Sequence, residues 1–184
     1  MTGQYTLGQT EQAVAERLAG LQVDHEAMAV VSNLYRAAGV VRNHVERTVL
    51  AEHDLTWTGW VVLWVVWVWQ DIETRHAASE AGISKSTLTG VIGTLERREL
   101  INRRTHPGDG RRVLLTLTPR AVELMAETFP QFNRVETMAI SALTEEETRV
   151  LTQALRKIVV HLEQAPSRSS GQFPGETPGE SPGN

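Results

Sequence analysis

The chain has 184 residues, a formal net charge of −4 and 41% hydrophobic residues, enough for one domain with a core and appendages. It contains no cysteine, which excludes disulfides, thiolate metal sites and thiol-based redox sensing. The longest apolar run, Trp57 to Trp69, is 13 residues and too short to span a bilayer, and the polar start MTGQYTLGQTEQ lacks a signal-peptide core. A soluble cytoplasmic protein with no membrane partner is therefore expected.

Residues 1 to about 8 read as a loose leader, and Glu11 to Leu21 as a short extra helix. A long helix is expected from about Glu26 to Leu50, with Val30, Leu34, Ala38, Val41, Val45 and Val49 along one side. Thr56 is placed to N-cap the next helix, Trp57 to Trp69. All five tryptophans lie in it, and Trp57, Trp60, Trp64 and Trp67 share one face by their spacing. Valines fill the remainder, so the segment is apolar all round and reads as buried. Aromatic stripes ordinarily pack in a core. The sharper reading lets Trp60 and Trp64 line an aromatic ligand pocket, with Arg42 and His44 on the preceding helix as polar contacts.

Arg75 to Ala81 is rich in small helix formers, Gly82 interrupts, and Ile83-Ser84 leads into a second helical run, KSTLTGVIGTLERREL. A helix-turn-helix needs a small residue where its helices cross, a glycine at the sharp turn and an apolar seam on the second helix. Ala78, Gly82, Leu88 and Val91 meet those needs, and Ser84 is a good N-cap. Leu88, Val91, Ile92 and Leu95 face the core by their spacing. The opposite stripe carries Ser86, Gly90, Gly93 and Arg97, flanked by Lys85 and Thr89. Each glycine costs roughly 1 kcal/mol in a helix interior. A solvated face offers nothing to offset that cost, whereas a face pressed against DNA does.

Leu100 to Thr105 and Arg112 to Thr118 read as two strands joined by His106-Pro107-Gly108-Asp109-Gly110, which carries two strong turn signals. Arginines 97, 98, 103, 104, 111 and 112 cluster here on an otherwise acidic chain, the pattern of a phosphate-contacting patch. Arg111 is the candidate for a narrow minor groove, oriented by donating a charge-assisted hydrogen bond to Asp109. The fold class is mainly α with a small β wing: a winged helix-turn-helix flanked by dimerisation helices. Candidate DNA contacts are Ser84, Lys85, Ser86, Thr87, Thr89, Arg97, Arg104, Asp109, Arg111 and Arg112.

Thr118-Pro119 opens another helix, with proline at the favoured first position, and Pro130 is expected to bend or break it. Thr144 to Glu147 is a capping box opening the last helix, to about Leu162. The Pro/Gly/Ser-rich tail from Ala165 reads as disordered. This divides the chain into a leader (1–25), a dimerisation helix (26–55), the winged helix-turn-helix (56–118), C-terminal dimerisation helices (119–163) and a tail (164–184).

The order LTWTGWVVLW, SKSTLTGVIGTLERRELINRR, DGRR and LTLTPRA resembles the multiple-antibiotic-resistance regulator (MarR) family, over about Asn33 to Leu162. That resemblance implies a homodimer of winged-helix subunits on a palindromic operator, and repression relieved by a small, often aromatic, ligand. Lys85, Ser86, Thr87 and Thr89 match the family's recognition-helix contacts, and Asp109 and Arg111 its wing pair. Three positions depart from the pattern. Gly90 stands where relatives carry a larger polar residue, Gly59 where they carry glutamine, and Glu99 where the recognition helix commonly ends in glycine.

Other functions leave weaker traces. Asp71, Glu73 and His76 lie close in sequence, after His53-Asp54, but their spacing is not that of a metal site. No phosphate loop or nucleophile elbow is visible, so neither an enzyme nor a cofactor is expected. The alternatives are a metal-responsive regulator using His44, His53 or His76, and a DNA-architectural protein without sequence preference.

Overall fold

The structure is a computed structural model that describes residues 5–165. It divides into two compact units, one through Ala139 and one from Ile140 onward. The proline-rich tail lies beyond the described residues.

The first unit begins with α1 (Leu7–Leu18), capped by a Thr6/Gln9 capping box. The extra helix thus starts and ends a few residues earlier than expected, because Thr6 supplies an N-cap that the apolar pattern does not reveal. Helix α2 (His25–Thr48) starts at the Asp24 cap, and a 3₁₀ turn (Leu50–His53) closes it. Helix α3 (Trp57–Trp69) has the expected bounds, with Thr56 Oγ1 accepting from the Gly59 N–H at 3.1 Å. Glu46 of α2 accepts from the Trp57 N–H at 2.9 Å, so two oxygens satisfy the opening of α3.

After α3 the backbone takes left-handed values at two successive non-glycine residues, Gln70 (φ 41°) and Asp71 (φ 46°). This turn leads into β1 (Ile72–Glu73), a two-residue strand that the sequence patterns did not reveal. Helices α4 (Thr74–Glu80) and α5 (Lys85–Arg97) follow, then β2 (Ile101–His106) and β3 (Asp109–Leu117). The sheet is antiparallel in the order β1-β3-β2. Ile72, Leu115 and Arg103 form one cross-strand row, and Glu73, Leu114 and Arg104 the next.

The α4–α5 turn follows from its hydrogen bonds. Gly82 N–H donates to the Ser79 carbonyl and Ile83 N–H to the Ala78 carbonyl, both at 3.0 Å. This is a Schellman termination, which requires a left-handed residue in the position Gly82 occupies at φ 63°. Helix α5 ends the same way, with Glu99 N–H to Glu96 and Leu100 N–H to Leu95, both at 2.9 Å. Here the left-handed residue is Glu99, at φ 57°.

Helix α6 (Pro119–Ile140) runs through Pro130 as one helix, so of the bend or break expected there, the break does not occur. Proline removes one backbone hydrogen bond, but burial holds the helix on both sides of it. Ala121, Met125 and Thr128 are buried before Pro130, and Phe132 and Val135 after it. Phe132 stacks on Trp57 and Trp60, with centroids 5.9 and 5.2 Å apart, and Phe129 stacks on Trp64 at 5.0 Å. Such pairs add about 0.5–1.5 kcal/mol each beyond area burial. The same core takes in Val45 of α2 and Val49 just after it, Ala77 and Ala78 of α4, Leu88, Ile92 and Leu95 of α5, and Leu115 of β3.

The second unit contains α7 (Glu145–Gln164), which opens on the expected Thr144/Glu147 capping box and has no buried residue.

Candidate nucleic-acid interface

The N-terminal half of α5 is presented to solvent. Lys85, Ser86, Thr87, Thr89 and Gly90 are exposed, while Leu88 and Ile92 anchor the helix in the core. Ser84 caps it, accepting from the Thr87 N–H at 3.1 Å. Its hydroxyl also lies 2.8 Å from those of both Ser86 and Thr87. Thr89 Oγ1 donates to the Lys85 carbonyl at 2.9 Å. These hydroxyls are short, pre-oriented donors and acceptors at the helix end where backbone N–H groups favour phosphate. Lys85 has no acid partner among the described residues. A methyl group added at Gly90 would meet nothing within 4 Å, so packing within the chain does not require that glycine.

The wing is irregular where it matters. Thr105 pairs with Val113, but His106 pairs with Asp109. The register therefore slips, and Gly110, Arg111 and Arg112 have no partner on β2. Bulges of this kind bend a strand and re-aim side chains, and this one displays Arg111. Asp109 Oδ1 accepts from the Arg111 backbone N–H at 3.0 Å. The expected link to the guanidinium is thus a link to the backbone: Asp109 shapes the bulge that carries Arg111. The hairpin turn is held by His106, whose Nδ1 accepts from the Gly108 N–H at 3.0 Å.

The six clustered arginines are not equivalent. Arg98 donates to the carbonyls of Asp54 and His53, each at 2.7 Å, and so clamps the 3₁₀ turn to the end of α5. Arg103 bonds Glu96 of α5 at 3.0 Å. Arg104 is paired with Asp71, and Arg112 with Glu73, which also holds Arg75 at 3.1 Å. Arg97 reaches Thr94 Oγ1 at 3.0 Å. Arg97 and Arg111 have no acid partner among the described residues.

The candidate contacts read from the sequence omit Arg75, and they omit Arg103 although it belongs to the arginine cluster. Both line a groove of about 330 Å³ between α4, α5 and the wing, together with Lys85 and Thr89. The strand alternation contained the signal. Arg103 and Arg104 are neighbours, so only one can share the face of buried Leu115, and the register assigns that face to Arg103.

The residues expected to meet a ligand differ in their surroundings. Trp60 is 3% exposed and stacked on Phe132, whereas Trp64 retains 36% exposure beside Phe129. Arg42 faces Glu46 at 3.7 Å, and His44 is half-buried. No group of three or more metal-ligating side chains forms among the described residues, and His44, His53 and His76 are not gathered into one.

A capped, exposed recognition helix followed by an arginine-bearing hairpin defines a winged helix-turn-helix DNA-binding protein. Residues 55–113 match the model of the MarR family. The HTH-type transcriptional regulator YwaE of Bacillus subtilis (strain 168) is 36% identical over 137 residues, 74% of this chain and 80% of YwaE. BpsR of Bordetella bronchiseptica, whose structure addresses regulation of its DNA binding by 6-hydroxynicotinic acid, superposes with a TM-score of 0.65 at 27% identity, over 71% of this chain and 98% of BpsR. Sco3205 of Streptomyces coelicolor, a MarR family regulator solved in complex with DNA, has the same fold, with a TM-score of 0.70 at 20% identity over 79% of this chain and 96% of its own. The chain belongs to the MarR family of DNA-binding transcriptional regulators, which are not enzymes. No described helix is long and apolar enough to cross a membrane.

Proposed function

We propose that the protein acts as a cytoplasmic homodimer on a palindromic operator and represses transcription until a small aromatic ligand releases it. The observation that carries the DNA mode is the placement of two cations without acid partners, Lys85 at the opening of α5 and Arg111 on the wing bulge. Lys85, Ser86, Thr87 and Thr89 contact phosphates and base edges in the major groove, and Arg111 enters the flanking minor groove. Arg97, on the same exposed stripe of α5, adds a phosphate contact.

A two-fold dimer sets two recognition helices about 34–36 Å apart, one turn of duplex. The apolar residues left exposed on α2 and α7 support a second copy as the partner that covers them. A ligand can relieve repression only by favouring a dimer geometry in which that spacing is lost. The resemblance to BpsR supports an aromatic acid as its chemical class. Of the four residues read as ligand contacts, Trp64 keeps ring surface that a ligand can reach.

The operator is obtained by enriching fragmented genomic DNA with the purified protein and sequencing what is retained. On that operator, Arg111→Ala is expected to weaken binding about tenfold or more at moderate salt, in line with the ~1–3 kcal/mol of a specific DNA contact. Lys85→Ala is expected to reduce the log–log salt slope by roughly 0.9, one phosphate contact. Unchanged affinity for the first removes the wing from the mechanism, and an unchanged slope for the second removes Lys85 from the phosphate contacts. Uniform weak enrichment across the genome would replace operator recognition with architectural binding. All five tryptophans lie in α3, so aromatic ligands can be screened by quenching of their fluorescence.

A further inference from the structure

The sequence shows one basic patch, whereas the structure shows a sorted one. On β1 and the strained turn before it, Asp71 and Glu73 reach across the sheet to Arg104 and Arg112. Glu73 and Arg104 lie in one cross-strand row with Leu114 between them. This is the row opposite in facing to Ile72, Leu115 and Arg103, whose arginine lines the groove beside Lys85. Arg104 therefore points away from the recognition-helix groove and toward an acid.

The turn that carries Asp71 to Arg104 holds two successive non-glycine residues at positive φ, Gln70 and Asp71. Backbone of this kind costs of order 1–3 kcal/mol per residue and persists where the surroundings over-determine it. The Asp71 and Arg104 side chains are 52% and 49% exposed. A pair this exposed contributes little to stability, so stability alone gives a weak reason for the arrangement.

We infer that Asp71 is a positioning residue for DNA binding: it holds Arg104 off the duplex, so that this wing cation does not join the phosphate contacts. Glu73 does the same for Arg112 from a more buried position. Phosphate contacts raise affinity for any sequence alike. An arginine withheld from them lowers non-specific binding while leaving the contacts of Lys85 and Arg111 in place. The inference rests on the family's DNA binding and not on the operator, the dimer or the ligand.

The test uses the full chain and a random-sequence duplex, with binding measured across a salt series. Asp71→Asn suits the left-handed backbone at this position, since asparagine tolerates that region as aspartate does. It is expected to bind the duplex several-fold more tightly at 0.1 M salt, with a log–log slope steeper by roughly 0.9. The double variant Asp71→Asn/Arg104→Gln is expected to return to the wild-type slope. Arg104→Gln alone is expected to keep the wild-type slope, and it remains informative if Asp71→Asn does not fold.

Glu80 provides the charge control. It lines the same cavity as Asp71 and Arg104 and has no cationic partner among the described residues. Glu80→Gln removes the same charge without releasing an arginine, so its slope is expected to stay at the wild-type value. An unchanged or weakened Asp71→Asn, a double variant that keeps the gain, a reduced slope for Arg104→Gln alone, or an equal gain from Glu80→Gln would each overturn the inference. Absence of duplex binding by the wild-type protein would instead count against the DNA-binding reading itself.

Discussion

At Glu99 a single residue carries both a departure from the family pattern and a backbone cost. It occupies the left-handed position of the Schellman termination of α5, where glycine is the usual solution because a Cβ there crowds the chain. Its side chain contributes little in return, since the Arg120 pair is 3.7 Å long and exposed on both sides. Glu99→Gly is expected to stabilise the protein by about 1 kcal/mol, as an increased urea or thermal midpoint. A decrease would mean that the Glu99 side chain contributes more than its contacts indicate. The backbone carbonyl of Glu99, which accepts from Thr118 Oγ1 at 2.7 Å, is retained in the variant.

Among the elements, the opening of α7 has a defined pH dependence. Glu147 accepts from the Thr144 N–H and hydroxyl, both at 2.8 Å, and those bonds hold its carboxyl below the ordinary carboxylate range. A carboxyl depressed in the folded state stabilises it above the unfolded pKa, and the contribution disappears as pH falls through the folded value. Helix content from α7 is therefore expected to decline on acidification in the wild type. Glu147→Gln is expected to flatten that component in a circular-dichroism titration, while carboxyl NMR places Glu147 below a free glutamate. An ordinary Glu147 titration would show that the capping box is open in solution. Helix α6 shows the converse at element scale: Pro130 is a strong local stop signal, and aromatic stacking on both sides of it carries the helix through.

The whole molecule leaves apolar surface unused. Val30, Val31 and Leu34 of α2 are exposed, as are Val150, Leu151, Val159 and Val160 of α7. Light scattering is expected to give twice the chain mass of 20.4 kDa. Val31→Glu and Leu151→Glu are each expected to shift the population toward monomer and weaken operator binding by more than tenfold, because a monomer reads one half-site. A monomeric wild type that still binds the full operator tightly would remove the homodimer from the mechanism.

Local patterns were sufficient for much of this protein. The bounds of α3, the Gly82 turn and the Ser84 and Thr144 caps all depend on neighbours within a few residues, which a sequence displays directly. The departure at Glu99 was visible for the same reason. Strand β3, by contrast, starts at Asp109, three residues before the expected Arg112. Strand β1 escaped because two residues are too few for any periodicity, and it exists by pairing with Leu114 and Leu115 some forty positions later. The six arginines show the same limit. Their number is a property of the chain, but Arg98 finds carbonyls 44 and 45 residues away, and Arg104 and Arg112 find acids in the turn before β1 and on β1 itself. Composition determined that a cationic wing would form. Only the tertiary structure decided which of its cations remain open to DNA, because charge pairing depends on distance in space, and strand register and a bulge set that distance.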